Sequence, residues 1–243
     1  MLGKLIQYDI CRYKYYLYIY IAVPILALVT RFTNSIPDKS VAVVIIDKVL
    51  SGFTIGMIAG LFVNIIMRIF VRYDLSIFGD EGYLTHTLPV KRGDIYTAKG
   101  LSAIIIIVLS YLISALGFGI VTYGAFDLTH RYKAILISGS VALLEIFCIV
   151  FTVFLGITLG NRRNTHKKLY SIIYSVLIYI AEQLPILVVM LIMLGDVIFT
   201  ENDDQINGMI ANALYVCMAF YAVYCVVLFI LGKKALEKGV NID

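Results

Sequence analysis

The chain has 243 residues, of which 61% are hydrophobic and 15% charged, and its formal net charge is +4. A charged share well below the usual figure of about 25% excludes an ordinary soluble domain. No separate basic domain accompanies the small positive charge, so nucleic acid is excluded as a partner.

Taken from the N-terminus, Met1 to Lys14 places Leu2, Leu5, Ile6, Ile10 and Tyr13 on one helical face and Lys4, Gln7, Cys11 and Lys14 opposite. This pattern predicts an amphipathic helix over residues 1–14, lying in the membrane interface and leading into a first span. No small-residue cleavage site follows convincingly, so the first apolar segment is expected to remain as an anchor. Apolar stretches from Tyr15 to Thr30, Leu50 to Phe70, Leu101 to Tyr123, Ile135 to Gly160, Leu169 to Leu194 and Ile210 to Leu231 predict six transmembrane helices, since a helical span takes about 20 apolar residues. They are too long and continuous for barrel strands, which alternate over about ten residues each. The fold class is therefore all-α integral membrane protein, a single transmembrane domain over residues 1–243.

Between the first two spans, the run Val41 to Ile46 is either the outer end of a tilted second helix or a small interfacial helix. Within the second span, Gly52, Gly56 and Gly60 recur one turn apart on one face, a spacing that permits close helix approach. Packing within one subunit and a seam between subunits both account for it. Asn64, about one turn before Arg68, requires a hydrogen-bonding partner or water, as an interhelical brace or as a lining of a transport pathway. Arg68 and Arg72 extend toward headgroups and anchor the topology.

The connection from residue 72 to 99 holds the least generic sequence, Phe78-Gly79-Asp80-Glu81-Gly82-Tyr83-Leu84-Thr85-His86-Thr87-Leu88-Pro89-Val90. Gly79 and Gly82 permit tight backbone geometry and Pro89 restricts the residue before it. A short helix, a turn and a new helix starting near Asp94 is the simplest reading. By residue chemistry alone, the acidic pair, Tyr83 and His86 describe either a wetted connection or a protruding docking element.

In the later spans, Glu145 and Glu182 are carboxyl groups inside apolar stretches, and Gln183 and Pro185 follow the second. Each acid must face protein, water or a cation, or carry a proton, and Pro185 removes a helix hydrogen bond and permits a bend. Glu145, Glu182 and Pro185 are thus candidates for a pathway or gate, with a buried polar brace as the other reading. The last connection on the outer side, Asp196 to Asp204, carries four acids and no base.

With both termini inside, fifteen of the twenty Lys and Arg fall on the inner side, against Arg31, Lys39, Lys48, Arg131 and Lys133 outside. Short-loop cations set orientation, so both termini are expected in the cytosol. Tyrosines 13, 15, 16, 18 and 20 suit the first interface. Cys11, Cys148, Cys217 and Cys225 are scattered and make neither a disulfide framework nor a metal motif, and His86, His130 and His166 fall on separate connections. No nucleotide-binding glycine loop is present, and the two acids do not by themselves make a hydrolase.

The stretch Asp80-Glu81-Gly82-Tyr83-Leu84-Thr85-His86-Thr87-Leu88-Pro89-Val90, placed after the second of six spans and followed by Lys99, resembles the permeases of ATP-binding-cassette exporters of the ABC-2 class, especially those of Gram-positive bacteria. The six-span plan covers most of the chain, and the sequence-specific likeness covers about residues 78 to 99. The resemblance implies that the N-terminal helix and a coupling helix in the 72–99 connection contact a separate ATPase. Phe78, Asp80, Glu81, Tyr83, His86 and Leu88 would form the coupling surface. It further implies a bacterial cytoplasmic membrane location, a dimer with an identical or homologous permease, and no cofactor in this chain, with ATP and Mg held by the partner ATPase. The expected function is export of an amphipathic substrate or peptide. An ion-coupled secondary transporter using the buried acids, though without a visible internal repeat, and a non-transporting sensory or assembly subunit are the alternatives.

Overall fold

The computed structural model describes residues 2–36, 40–79, 81–87, 89–122, 128–195 and 203–239. Among them all regular structure is helical, in the order α1 (Leu2–Tyr20), α2 (Ala22–Asn34), α3 (Val41–Ile77), α4 (Gly82–Thr87), α5 (Arg92–Thr122), α6 (Leu128–Gly160), α7 (Lys167–Leu194) and α8 (Asp203–Glu237). Six helical stretches are long and apolar enough to cross a membrane, the first being Leu2–Asn34, which joins α1 and α2 across Ile21. This is the helical plan of a multi-pass membrane protein. The helices extend beyond the apolar cores read from the sequence because polar ends continue the same backbone ladder into the interface regions. Val41 to Ile46 belongs to α3 without a break. On α1, Tyr13 is buried and Leu2, Leu5, Ile6 and Ile10 are half-buried, while Lys4, Gln7, Cys11 and Lys14 are exposed.

The chain divides into two compact units, residues 1–71 with 101–129 and residues 72–100 with 130–243. In the first, Thr30 of α2 and Thr54 of α3 share a hydrogen bond of 2.9 Å. Each hydroxyl is also within hydrogen-bond distance of the carbonyl four residues before it, Leu26 and Leu50 respectively, so their two protons are divided among three contacts. A Cβ on Gly117 of α5 would stand 2.6 Å from Val23 Cγ1, so that glycine lets α2 approach.

The second unit is built on aromatic packing around α6. Of the most apolar window of α6, 44% is buried inside the chain, against 28% or less in the other spans, which makes α6 the most enclosed of the six. Tyr73, near the end of α3, stacks on Phe154 of α6 with centroids 3.9 Å apart, and its hydroxyl shares a 2.8 Å hydrogen bond with Thr158. Tyr96 of α5 meets Tyr73 edge-on and Phe229 of α8 at 5.5 Å. Gly156 and Gly160 of α6 face Ser175 and Ser171 of α7 so closely that Cβ atoms would fall 2.9 and 2.5 Å from the serine Cα atoms. This is the small-residue seam that lets membrane helices pack backbone to backbone.

Candidate functional site

α3 ends where Phe78 and Gly79 both donate their N–H groups to Asp74 O, at 2.8 and 3.1 Å. Gly82 N–H then bonds Gly79 O at 2.8 Å and opens α4. Both glycines are required by close approach. A Cβ on Gly79 would lie 2.9 Å from Leu75 Cα, and one on Gly82 would lie 2.7 Å from Ile77 O. The turn is further held by the ion pair of Arg72 with Glu81 at 3.3 Å. Consequently Tyr83 and Leu84 are carried on a fixed base. Tyr83 is 68% exposed and Leu84 74%, an apolar pair standing free on a short helix. Asp80 and Leu88 lie outside the described residues, as does the side chain of His86; Phe78 is half-buried, with its ring 6.3 Å from that of Tyr73. α5 begins at Arg92 with Asp94 in its first turn, where a carboxylate complements the helix N-terminus.

The base of α4 is continuous with the core of its unit. Tyr73 and Asp74 stand near the end of α3: Tyr73 is clamped by Phe154 and Thr158, and Asp74 lies within electrostatic reach of Asn161 and Lys168. At the same end of α6, Arg162 donates to Ala235 O of α8. α4 is thus tied through α3 to α6, and α6 to α8.

Toward the middle of α6 lies a polar cluster inside the same unit. Glu182 of α7 is 0% exposed, so a water-sized sphere cannot touch it. Its Oε2 accepts a 3.5 Å hydrogen bond from Thr152, and among the described residues its buried Oε1 has no hydrogen-bond partner. Cys148 and half-buried Glu145, both of α6, lie within interaction range of that carboxyl. Tyr221 and Tyr224 of α8 are also in electrostatic reach of Glu182, and the Tyr224 hydroxyl donates to Ile178 O at 3.4 Å. The structure therefore brings Glu145 and Glu182 together, with Gln183 half-buried beside them. Pro185 is exposed, and α7 runs on through it.

Asn64 belongs to the first unit and has its partner there. Its Oδ1 accepts from Arg68 Nε at 2.9 Å, and the Arg68 guanidinium covers the Tyr16 ring at 3.8 Å and donates to its hydroxyl. Gly52, Gly56 and Gly60 are exposed, and beyond their own stretch of helix no described atom lies within 4 Å of where their Cβ atoms would be. The helical glycines in close contact with another helix are instead Gly93, Gly100, Gly117, Gly156, Gly160 and Gly232. Gly156 and Gly160 carry the same spacing in the sequence as the α3 glycines, but only packing separates the two sets. His166 takes a left-handed backbone with φ 51° before α7, the His130 side chain and residues 196–202 lie outside the described ones, and Arg131 and Lys133 likewise have undescribed side chains. Among the described residues, no group of three His, Cys, Asp or Glu is placed to hold a metal ion.

Comparison with protein-family models, with curated proteins and with solved structures finds no match to this chain.

Proposed function

We propose that this chain is the membrane permease of an ATP-driven exporter of the ABC-2 class, moving an amphipathic molecule or peptide, with ATP hydrolysed by separate nucleotide-binding chains. The observation that carries the reading is α4. Its exposed Tyr83 and Leu84 form a compact apolar anchor on a base fixed by Gly79, Gly82 and the Arg72–Glu81 pair, the kind of rigid aromatic contact that dominates protein interfaces. In this reading both termini and α4 are cytosolic. Closure of two ATPase subunits presses on α4, and the Tyr73–Phe154 stack passes the displacement to α6. The open glycine face of α3 is the seam to a second, identical or homologous permease, because among the described residues no other helix covers that bare backbone.

Purification of the native complex from its host tests the reading. An ABC ATPase should accompany the wild-type chain, and a Tyr83→Ala, Leu84→Ser double variant should lose it while retaining its fold. Absence of any nucleotide-binding chain, together with absence of nucleotide-dependent transport, overturns the assignment. Glu182 favours a second reading, ion-coupled transport, since a sequestered carboxyl beside Glu145 is a coupling element in carriers. Transport that persists without an ATPase and follows an ion gradient selects it.

A further inference from the structure

Among the arginines near the ends of the spans, Arg72 is paired with Glu81 and Arg162 donates to Ala235 O. Arg68 of α3 is held differently. Its Nε donates to Asn64 Oδ1 at 2.9 Å, its Nη1 donates to the Tyr16 hydroxyl, and the guanidinium lies over the Tyr16 ring at 3.8 Å. Two of a guanidinium's five N–H donors are thereby used. Both donors of Nη2 and the second of Nη1 have no partner among the described residues, and Arg68 is exposed. The group is fixed in place with one edge open.

Helix register sets its depth. Thr30 bonds Thr54, and Tyr16 meets Arg68, each fourteen residues away along two antiparallel stretches. Arg68 also follows the exposed Lys48 of α3 by twenty residues, about 30 Å of helix and the thickness of a hydrocarbon core. The open edge therefore lies where phospholipid headgroups begin. On α1, Arg12 stands one turn before Tyr16, over the Tyr8 ring at 4.4 Å, and Lys14 is exposed. The described acids of this unit, Asp9 and Asp47, are both buried.

We propose that Arg68, clamped by Tyr16 and Asn64, binds the phosphodiester of an anionic phospholipid of the phosphatidylglycerol type where α1 meets α3. The inference needs only that these helices cross a membrane and is independent of the export reading. The open edge offers the parallel N–H donors that grip two phosphate oxygens as a fork. Because Tyr16 and Asn64 already fix the guanidinium, little side-chain freedom remains to be lost on binding. Arg12 and Lys14 favour a headgroup with net negative charge over one whose phosphate is balanced by its own choline. Val63 and Met67, exposed immediately before Asn64 and Arg68, give an acyl chain an apolar wall. The clamp takes one residue from α1 and two from α3, so it exists only while these helices are packed. Lipid binding stabilises that packing by linkage.

The experiment titrates the full-length chain in neutral detergent micelles with dioleoylphosphatidylglycerol and, separately, with dioleoylphosphatidylcholine, which has the same chains and phosphodiester. Native mass spectrometry resolves the bound lipids. The first phosphatidylglycerol should bind about tenfold more tightly than phosphatidylcholine. Arg68→Gln should weaken it about tenfold or more, the scale of a lost hydrogen bond to a charged group, with Arg68→Lys recovering part. Asn64→Ala, which loosens the guanidinium and keeps its charge, should weaken it by a smaller factor. Arg163→Gln removes the same charge from another exposed arginine, which lies over Tyr170 at 5.4 Å, and should leave the first lipid in place. Absence of bound phosphatidylglycerol, or equal affinity for the two lipids, overturns the proposal. So does wild-type binding by Arg68→Gln, or an equal loss in Arg163→Gln. Displacement of the lipid by inorganic phosphate also overturns it, by making the site one for a free anion. In the wild-type chain, phosphatidylglycerol with a photoreactive group beside its glycerol should cross-link within residues 12–19 or 61–71. Cross-links confined to other segments refute the site without any variant, so misfolding of a variant leaves the test standing.

Discussion

Substitution of Gly160 by valine isolates the α6–α7 seam. A Cβ there would lie 2.5 Å from Ser171 Cα, whereas carbon atoms rest about 3.5–4.0 Å apart. The shortfall of about 1 Å falls on backbone, so rotation of the serine side chain does not relieve it and the helices must separate. Separation also opens the neighbouring contact, where Gly156 and Ser175 meet at a hypothetical 2.9 Å. A gap of this size forfeits about a quarter to a half of each affected dispersion contact. Overpacking of this kind costs about 1–3 kcal/mol, and valine's better helix propensity returns only a few tenths of that. The net loss expected is about 0.5–2.5 kcal/mol. The matched control is Gly56→Val, where nothing stands within 4 Å and the change should stay within about 0.5 kcal/mol. Equilibrium unfolding of the monomeric chain in mixed micelles, followed by circular dichroism, measures both. The reasoning fails if Gly160→Val matches wild type, or if Gly56→Val is equally damaged.

At the aromatic core, Tyr73→Phe should cost about 0.5–1.5 kcal/mol by removing the hydrogen bond to Thr158, and Tyr73→Ala about 3–5 kcal/mol through the lost stack on Phe154; the same unfolding assay ranks them. Thr54→Val should cost only about 0.6 kcal/mol, because Thr30 keeps its bond to Leu26 O; a double-mutant cycle with Thr30 measures the shared term. Breaking the part-exposed Arg72–Glu81 pair with Glu81→Gln should change global stability by no more than about 1 kcal/mol, while raising proteolysis within residues 78–87; unchanged cleavage there would count against the pair as the brace of α4. Replacement of the exposed Tyr83 and Leu84 should leave the unfolding midpoint unmoved within about 0.5 kcal/mol, so any loss of partner binding reads as an interface effect.

Much of the architecture was legible because the membrane imposes a strong rule: each span must satisfy its own backbone hydrogen bonds, so length and apolar content reveal a helix directly. The short helix after the second span was legible for a local reason. Gly79 and Gly82 punctuate the chain where α3 gives way to α4, and Pro89 where α4 and α5 are separated. Lateral packing was not legible in the same way. Gly52, Gly56 and Gly60 have the spacing of a helix seam, yet their face is open, and the seam formed within the chain belongs to Gly156 and Gly160. Spacing states which residues share a face, and only a neighbour's position states what that face meets.

The same distinction governs the polar residues. That Glu145 and Glu182 lie in apolar helices, and that four cysteines are scattered along the chain, is fixed by residue order alone. That Glu182 is sealed from water and has Glu145 and Thr152 in reach, and that Cys148 of α6 meets the Tyr221 carbonyl of α8, was decided by tertiary packing. Periodicity acts within one helix, whereas chemistry between helices depends on rotation and register, which are set by contacts such as the Tyr73–Phe154 stack and the Gly160–Ser171 approach.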